Sequence, residues 1–507
     1  MNYNSKLKEL NSVINHEGAK AYAMTPELEL YTAVVTASLS DVTYEKQDAR
    51  VDRIAQLISK VSPEFVARLA VYTRTEMHLR SIPLLLLVEL AKVHNGDDLV
   101  ARAVEKTVLR ADEIMELLMC YQWRNPSEDD RKKLSKLSRQ IQNGLQRAFN
   151  RFDEYQFAKY DRDNLEVKLR DALFLVHPKA KNEEQQAIFN KIVNRQLETP
   201  YTWETELSAL GQQEFESEEQ KQNALREKWE ELICSGKLGY MALMRNLRNM
   251  LQADVSLPEM QKVASRLSNE EEVARSKQLP FRYLAAYREI ERMDSLHTSN
   301  LMNALEAAVK YSASNIQGFD ENTRILLASD VSGSMWTPVS QRSSVRNYDI
   351  GILLSMLLHT RCKQVVAGIF GDEWKVVNMP SDTPLMATRK MEQLGNTVGF
   401  STNGFKVIDW LMGHHLVMDK VMMFSDMQMW DSTGRFQSLE NSWLKYKQMA
   451  PKAKLYLFDL AGYGQLPLRL AEPDVHLIAG WSDRVFDILS AVDKGESAIS
   501  VINKTEV

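Results

Sequence analysis

The sequence of 507 residues is poor in cysteine, in long apolar runs and in unbalanced charge. Its three cysteines, Cys120, Cys234 and Cys362, are far apart and lack the spacing of metal ligands, so we expect reduced thiols in a cytoplasmic protein. The longest apolar run, residues 82–88, is much shorter than the roughly 20 residues that span a bilayer. The first residues lack the apolar core of a secretory signal. The sequence therefore predicts a soluble chain without a membrane partner.

The charge of the chain limits how it can meet nucleic acid. A net charge of −5 argues against a protein that coats nucleic acid over its whole surface. Any such contact must come from a local basic patch. The length of the chain also predicts more than one domain.

Glycine content divides the chain. Residues 1–320 contain seven glycines, whereas the shorter segment 321–507 contains thirteen. Few helix breakers and long segments of 3.6-residue periodicity predict that residues 1–320 are almost entirely helical. Successive helix–turn–helix units, such as the one at residues 227–251, favour stacked helical pairs as in an α-solenoid.

Residues 321–507 alternate between apolar strands and amphipathic helices. This alternation predicts an α/β domain with a doubly wound, mostly parallel sheet. Ligands of such sheets bind beyond the carboxyl ends of the strands. The predicted strands are residues 323–329, 364–370, 375–379, 420–426, 453–460 and 475–480, and the predicted helices are residues 348–362, 405–413, 438–449 and 482–492.

Three oxygen-bearing side chains follow the first predicted strand. In ILLASDVSGSM, residues 325–335, Asp330, Ser332 and Ser334 are each two residues apart. They can cap a helix, attack a phosphate or bind a hard cation. A nucleophilic Asp330 would lack the second acid two residues on, and a phosphate loop would need more glycines and a lysine.

Two alternatives stay open at this point. A nucleophilic serine needs a histidine partner, and His414 and His415 are the nearest pair in a plausible position. Serine and aspartate are also favoured helix caps, so Ser332 and Ser334 can have a purely structural role.

The cation interpretation gains two further residues. Asp426 follows another apolar strand, and Thr402 lies in a loop before the helix that begins near Phe405. Together with Asp330, Ser332 and Ser334 they would meet at one edge of the sheet. Hydroxyl and carboxylate oxygens suit Mg²⁺, or another divalent cation, and leave it able to bind an acidic group of a partner.

These residues resemble the metal-ion-dependent adhesion site of von Willebrand factor A domains, with D-x-S-x-S at Asp330, Ser332 and Ser334. The first part of the chain resembles the TROVE module of Ro ribonucleoproteins of the bacterial type. The resemblance divides the chain into a TROVE module, residues 1–320, and an A domain, residues 321–507. It is carried by five stretches taken as helical, residues 15–22, 77–90, 152–162, 238–250 and 276–288.

The resemblance implies a ring of HEAT-like helical repeats sealed by the A domain. It also implies an RNA-binding scaffold in RNA quality control, which binds Y-like small RNAs and the single-stranded 3′ ends of misfolded RNA. Bacterial relatives act with exoribonucleases. In AKYDR and LVHPK the resemblance places Y RNA contacts on Lys159, Arg162 and His177.

Other candidate RNA contacts come from the residues themselves. Arg131, Lys132, Lys133, Lys136 and Arg139 crowd the start of one predicted amphipathic helix, in a segment without an acidic residue. Such a patch is either a phosphate-contact surface or a solvated helix face. Arg245 and Arg248, predicted on one helix face, either line the hole of the ring or pair with carboxylates.

The sequence thus predicts a monomeric, non-enzymatic RNA-binding scaffold whose A domain presents Mg²⁺ to an exoribonuclease or another acidic partner. The rival hypothesis is a metal-dependent protein-interaction or assembly scaffold that acts through its A domain.

Overall fold

The computed structural model describes residues 12–37, 45–126, 136–162, 164–313, 322–339, 343–378, 382–470, 474–482 and 484–507. The chain packs into two compact units. One comprises Met1–Val51 and Gly239–Ile499, and the other comprises Asp52–Leu238 and Ser500–Val507. Among the described residues, no helix has both the length and the apolarity required to cross a membrane.

The unit around residues 52–238 is helical. The helices are α2 (Gln47–Ile58), α3 (Pro63–Thr75), α4 (Ser81–Val93), α5 (Leu99–Thr107), α6 (Asp112–Arg124), α7 (Arg139–Phe149), α8 (Glu154–Tyr160), α9 (Leu169–Val176), α10 (Glu183–Asn194), α11 (Trp203–Gly211) and α12 (Glu218–Cys234), with the end of α24 (Ala498–Asn503).

Neighbouring helices of this unit pack on one another as predicted for stacked pairs. Helix α3 packs on α4 and α5, α4 packs on α6, and α5 packs on α7. Ser62 begins α3 by accepting a hydrogen bond from the backbone N–H of Phe65, and Pro63 fits the first turn. Because residues 82–90 of α4 are buried on every side, α4 forms the centre of this part of the core.

The other unit begins with strands β1 (Ser12–Ile14) and β2 (Lys20–Ala23) and helix α1 (Pro26–Val35). Its later helical part comprises α13 (Tyr240–Arg245), α14 (Leu247–Gln252), α15 (Leu257–Leu267), α16 (Glu270–Ser276), α17 (Pro280–Glu291) and α18 (Thr298–Ser312). These helices pack in the same compact unit as the α/β sheet. The division into a TROVE module and an A domain at residues 320 and 321 stays a prediction.

The α/β part contains the six-stranded sheet. Its elements are β3 (Arg324–Asp330), α19 (Asn347–His359), β4 (Gln364–Phe370), β5 (Trp374–Val376), α20 (Pro384–Gly395), α21 (Phe405–Gly413), β6 (Lys420–Ser425), α22 (Leu439–Met449), β7 (Lys454–Asp459), β8 (Gln465–Leu466), β9 (Val475–Ala479) and α23 (Val485–Asp493). The strand order is β5-β4-β3-β6-β7-β9, and only β5 is antiparallel to its neighbour. This arrangement places β3 and β6 side by side, with their carboxyl ends at one edge.

Alternation along β3 explains the layers on the sheet. Leu326 and Ala328 belong to the core cluster that includes Ile408 of α21 and Trp443 of α22, whereas α19 packs on β3 and β6. Successive residues of a strand point to opposite faces of the sheet. Because helices cover both faces, the strand carries apolar residues on both faces. The predicted fold class, a helical-repeat region followed by a doubly wound α/β domain, is confirmed.

The prediction of helix at residues 15–22 was wrong. Strands β1 and β2 form a hairpin there, and β2 pairs with β8 in a second, three-stranded antiparallel sheet. Gly18, at a φ of +79°, lies in the turn, a conformation that favours glycine. The hairpin pairs with a strand near the other end of the sequence, and local periodicity does not reveal such a partner.

Two predicted helices differ in extent. The helix predicted from Arg131 begins at Arg139 in the described part of the chain, because the Tyr121 hydroxyl accepts from the Ser138 N–H and donates to the Lys136 carbonyl. The helix predicted through Arg245 and Arg248 is interrupted at Asn246, whose side chain donates to the Ala242 carbonyl.

Candidate functional site

Asp330, Ser332 and Ser334 form a buried turn at the carboxyl end of β3. The Ser332 backbone N–H donates to Asp330 Oδ1 at 2.8 Å. The hydroxyl oxygens of Ser332 and Ser334 are 3.4 Å apart. Ser332 precedes the short 3-10 turn Gly333–Trp336, but its side chain makes no capping hydrogen bond. The capping alternative therefore does not account for this serine.

Asp426 lies beside this turn, directly after β6. Its Oδ1 accepts from the Gln428 N–H at 3.1 Å, while its Oδ2 is buried without a hydrogen-bond partner among the described residues. Burial raises the pKa of Asp426, and the negative charge of Asp330 raises it further. Burial likewise raises the pKa of Asp330, although Ser332 and Ser425 donate to it. Two buried carboxylates that repel each other would be stabilised by a cation.

Backbone hydrogen bonds hold the Thr402 loop next to the turn that contains Asp330, Ser332 and Ser334. The Phe400 carbonyl accepts from the Gly333 N–H at 2.9 Å, and the Thr402 carbonyl accepts from the Trp430 N–H at 3.2 Å. The Ser401 N–H donates to Asp372 Oδ1 at 2.7 Å. These bonds join the Thr402 loop to the turn after β3 on one side and to the loop after Asp426 on the other.

The structure therefore brings the loops of all five predicted metal ligands to one edge of the sheet. Thr402, Asp330 and Asp426 are all buried. No group of three or more histidine, cysteine or acidic residues suited to a metal occurs in the part of the chain that the structure describes. A set of two carboxylates and three hydroxyls does not require such a group. The ligand roles of the five residues stay predictions.

The histidines of the nucleophile alternative lie at the other end of α21. Thr402 lies just before this helix, whereas His414 follows its last residue and packs against Trp410 with ring centroids 4.3 Å apart. A nine-residue helix is about 13 Å long. His415 is in the left-handed region, with a φ of +53°. Both histidines therefore end a helix, which does not favour a partnership with Ser332 or Ser334.

The amino-terminal hairpin contacts this edge, which was not predicted from the sequence. Asn15 donates from Nδ2 to the Met429 carbonyl at 2.9 Å, and its Oδ1 accepts from the Ala19 N–H at 2.8 Å. The His16 N–H donates to Gln428 Oε1 at 2.9 Å. Asn15 begins the stretch of residues 15–22 that resembles the TROVE module, but nothing local in the sequence identifies its partner. The hairpin thus holds the loop that follows Asp426.

Lys159 and Arg162 lie at and just after the end of α8, and both are exposed. The Lys159 ammonium is 5.9 Å from the ring centre of Tyr155 and 5.7 Å from that of Tyr160. Lys159 and Arg162 line a groove of about 350 Å³ that runs beside the start of α11. Tyr155 is 49% exposed, so cations and an accessible aromatic ring occur together.

His177 ends α9 in the left-handed conformation, with a φ of +49°. It is exposed, and Phe174, one turn earlier, is 47% exposed with Arg170 over its ring. The structure therefore leaves His177 available on the surface.

The remaining RNA candidates are placed unevenly. Lys136 and Arg139 are exposed and form no ion pair among the described residues, whereas Arg131, Lys132 and Lys133 lie outside them. Arg248 pairs with Glu289 at 2.7 Å, as one of the two alternatives predicted. Arg245 is exposed and lies on a separate short helix.

Comparison with known proteins matches the helical part of the chain to one family. The model of the TROVE domain matches residues 27–225 and 194–316. Telomerase protein component 1 of Rattus norvegicus is 24% identical over 350 residues, which covers 53% of this chain and 13% of that protein. The protein of the same name in Mus musculus is 23% identical over 372 residues, with coverage of 57% and 14%. The chain thus spans only a small part of these curated relatives.

Among solved structures, the crystal structure of the Deinococcus radiodurans Ro protein, Rsr, is similar to this chain. The TM-score is 0.60 at 19% sequence identity, and the match covers 93% of this chain and all of the other. At this identity the likeness concerns the fold, and it extends over both the helical and the α/β parts.

Proposed function

Because the chain belongs to the TROVE-domain family, we propose that it is a non-catalytic RNA-binding scaffold in RNA quality control and processing. Membership of the family supports an RNA-binding ribonucleoprotein role. The proposed ligands are the single-stranded 3′ ends of misfolded RNA and small structured Y-like RNA. The proposed partner is an exoribonuclease, and the proposed form is a cytoplasmic monomer.

The surface around α8 supports this proposal. Lys159 and Arg162 are exposed cations beside a groove that Asp161, Glu198 and Glu204 also line. The rings of Tyr155 and Tyr160 lie within 6 Å of the Lys159 ammonium. Single-stranded RNA binds to surfaces that combine cations for its phosphates with aromatic rings for its bases. Phe174 of α9 and His177, which follows this helix, are also exposed. The family match is the observation that carries the proposal, and these residues are the first to test.

A filter-binding competition tests the RNA proposal. An RNA with a free single-stranded 3′ tail should compete better than a blunt duplex of the same length. Because bound phosphates release counterions, the affinity should fall steeply with salt. Lys159→Ala and Arg162→Ala should each weaken binding and lower the salt slope by about 1.

Lys60→Ala is the matched control, because Lys60 is exposed and unpaired in the described part of the same unit. It should leave both the affinity and the slope unchanged. Equal competition by the tailed RNA and the duplex, or an affinity independent of salt, would contradict the proposal.

We further propose that Asp330, Ser332, Ser334, Thr402 and Asp426 hold Mg²⁺ or another divalent cation. The unpartnered, buried Oδ2 of Asp426 and the raised pKa values of both aspartates support this set. When bound, the ion would offer an electrophilic position to a carboxylate oxygen of an acidic partner.

The same edge of the sheet supports a second candidate function, a metal-dependent protein-interaction scaffold that acts through the A domain. The variant Asp330→Ala distinguishes the two functions, through its RNA affinity and its binding to the protein partner. The RNA scaffold should keep its RNA affinity in this variant, whereas the interaction scaffold should lose its partner.

A further inference from the structure

A cavity of about 480 Å³ lies next to the edge of the sheet, between α17 and the segment that leads into α19. Cavities of this size accommodate a small ligand such as one nucleotide. The side chains that line it are Arg288, Glu289, Arg292, Trp336, Pro338, Ser343, Ser344, Arg346, Arg389 and Glu392.

The acids of this cavity are already engaged. Glu289 pairs with Arg248 at 2.7 Å. Glu392 accepts from Arg288 at 2.9 Å and also pairs with Arg389. These ion pairs neutralise the charge of both glutamates.

Two cations of the cavity have no such partner. Arg292 and the guanidinium of Arg346 form no ion pair within the described ranges, in contrast to Arg389, which pairs with Glu291 at 3.0 Å. The cavity therefore has uncompensated positive charge on two sides, which attracts an anion.

Arg288 lines the cavity as a buried cation that is already bound to acidic partners. It is only 9% exposed, and its two terminal nitrogens are held by Asp349, at 2.8 and 2.5 Å. Its Nε is buried and has no hydrogen-bond partner in the described part of the chain. A buried donor without an acceptor is destabilising. Because this Nε is also closed off from solvent, a ligand in the cavity does not reach it, and Arg292 and Arg346, which form no ion pair among the residues that the structure describes, carry the case for an anion.

Trp336 gives the cavity an aromatic wall. Its Nε1 donates to the Val331 carbonyl at 3.1 Å, and its ring packs against Tyr348 with centroids 5.1 Å apart. The Arg346 guanidinium lies 4.7 Å from the centre of the Trp336 ring. This contact holds the cation in place and leaves its N–H groups at the edge for hydrogen bonds.

We propose that this cavity binds a nucleoside phosphate, with the phosphate on Arg292 and Arg346 and the base against Trp336. The ligand is either a free nucleotide or the phosphorylated end of a single-stranded RNA. The second source rests on the proposed RNA-binding function, and the first does not. A duplex backbone cannot enter a cavity that holds one nucleotide, so a strand end is the part of an RNA that fits.

Fluorescence anisotropy with the full chain tests this proposal. The probe is a single-stranded oligonucleotide in three forms, with a 5′-phosphate, with a 3′-phosphate or with hydroxyl ends. The competitors are unlabelled AMP and inorganic phosphate. One phosphorylated form should bind about tenfold more tightly than the hydroxyl form, as expected for charge-assisted hydrogen bonds. Arg346→Gln and Arg292→Gln should each remove most of this difference.

Arg361→Gln is the control, because Arg361 is exposed in the same unit and lies outside the cavity. It should leave the difference intact. Thermal melting of each variant checks that the fold is retained, and Arg346→Lys should restore part of the preference.

The outcomes separate this inference from the proposed function. If AMP binds and Arg346→Gln abolishes this binding, but phosphorylated and hydroxyl strand ends bind equally, the cavity is supported with a free nucleotide as its ligand. If AMP binds, Arg346→Gln abolishes this binding, and tailed RNA and duplex RNA bind equally, the cavity is supported and the RNA scaffold is rejected. Two results overturn the inference. One is that all oligonucleotides bind equally and AMP does not bind. The other is that Arg346→Gln and Arg292→Gln both keep the preference for the phosphorylated oligonucleotide.

Discussion

Arg288 and Asp349 form a buried ion pair in which Nη1 and Nη2 of the arginine lie 2.8 and 2.5 Å from the two carboxylate oxygens. The pair joins α17 of the helical region to α19 of the α/β part. Their side chains are 9% and 0% exposed. The Asp349 carboxylate also accepts from the Arg346 N–H at 2.8 Å, which fixes the start of α19.

Removing one partner of this pair should be costly, because the other charge stays buried. We expect Asp349→Ala to lower the free energy of unfolding of this unit by about 1–3 kcal/mol, because the Arg346 N–H loses its acceptor and Arg288 keeps only Glu392 as an acidic partner. The double variant Arg288→Met, Asp349→Leu should cost less, since it also removes the buried arginine that has lost one of its two acidic partners. Urea unfolding followed by tryptophan fluorescence measures both. A cost below about 1 kcal/mol for the single variant would contradict a buried, coupled pair.

Loss of a predicted metal ligand should remove cation binding without unfolding the chain. We expect Asp330→Asn to weaken Mg²⁺ or Mn²⁺ binding at least about tenfold, the low end of the losses seen when a group that supports a metal site is removed. Isothermal titration calorimetry measures the uptake. Glu373→Gln is the control, because Glu373 is an exposed acid that pairs with Lys406. Equal uptake by Asp330→Asn and the unmodified chain would exclude the assignment.

The hairpin contact predicts an effect at a distance in sequence. Asn15→Ala removes the donor to the Met429 carbonyl and the acceptor for the Ala19 N–H. We expect a local loss of about 1–3 kcal/mol, the cost of leaving buried polar groups unsatisfied. Hydrogen exchange of residues 427–431 should quicken, while exchange in β3 stays unchanged. Unchanged protection of residues 427–431 would show that the hairpin does not hold this loop.

Acid should destabilise the chain in part through His359. Burial lowers the pKa of His359 below its ordinary value of 6.5, and its Nδ1 is buried without a partner among the described residues. The unfolded chain therefore binds this proton more readily than the folded chain does. The stabilising contribution of neutral His359 is present above the unfolded pKa and is lost as the pH falls below about 6.5.

Replacement of this histidine should flatten the response to acid. His359→Gln should lose less stability than the unmodified chain when the pH is lowered from about 7.5 to about 5.5, since glutamine binds no proton in this range. Urea unfolding at the two pH values gives the comparison. An identical loss in both proteins would assign the acid response to other groups.

Patterns local in sequence predicted the larger elements. The strand that ends at Asp330 and the helix at residues 405–413 were predicted from their periodicity, and both are confirmed. Parallel neighbours end at the same edge of a sheet, so the meeting of the Asp330 and Asp426 loops also followed from the pattern. Helix α20 was not predicted, although Pro384 in its first turn and the buried Leu385, Ala387 and Met391 are signals of a helix.

Contacts between distant segments were beyond such patterns. The pairing of β2 with β8 and the bond from Asn15 to Met429 join residues hundreds of positions apart. The break at Asn246 depends on a side chain that bonds to the backbone of its own helix. The ion pair between Arg288 and Asp349 depends on how α17 packs, which neither helix shows alone.

The hairpin at the start of the chain also orders events during synthesis. Asn15 and Met429 are separated by 414 residues, and a ribosome adds about 5–20 residues per second. For roughly 20–80 s after its synthesis, the hairpin therefore lacks its partners, the Met429 carbonyl and strand β8. A chain truncated before β8 would also lack β9 and leave the apolar strand β7 as an open edge of the six-stranded sheet, so premature termination should yield products prone to aggregation.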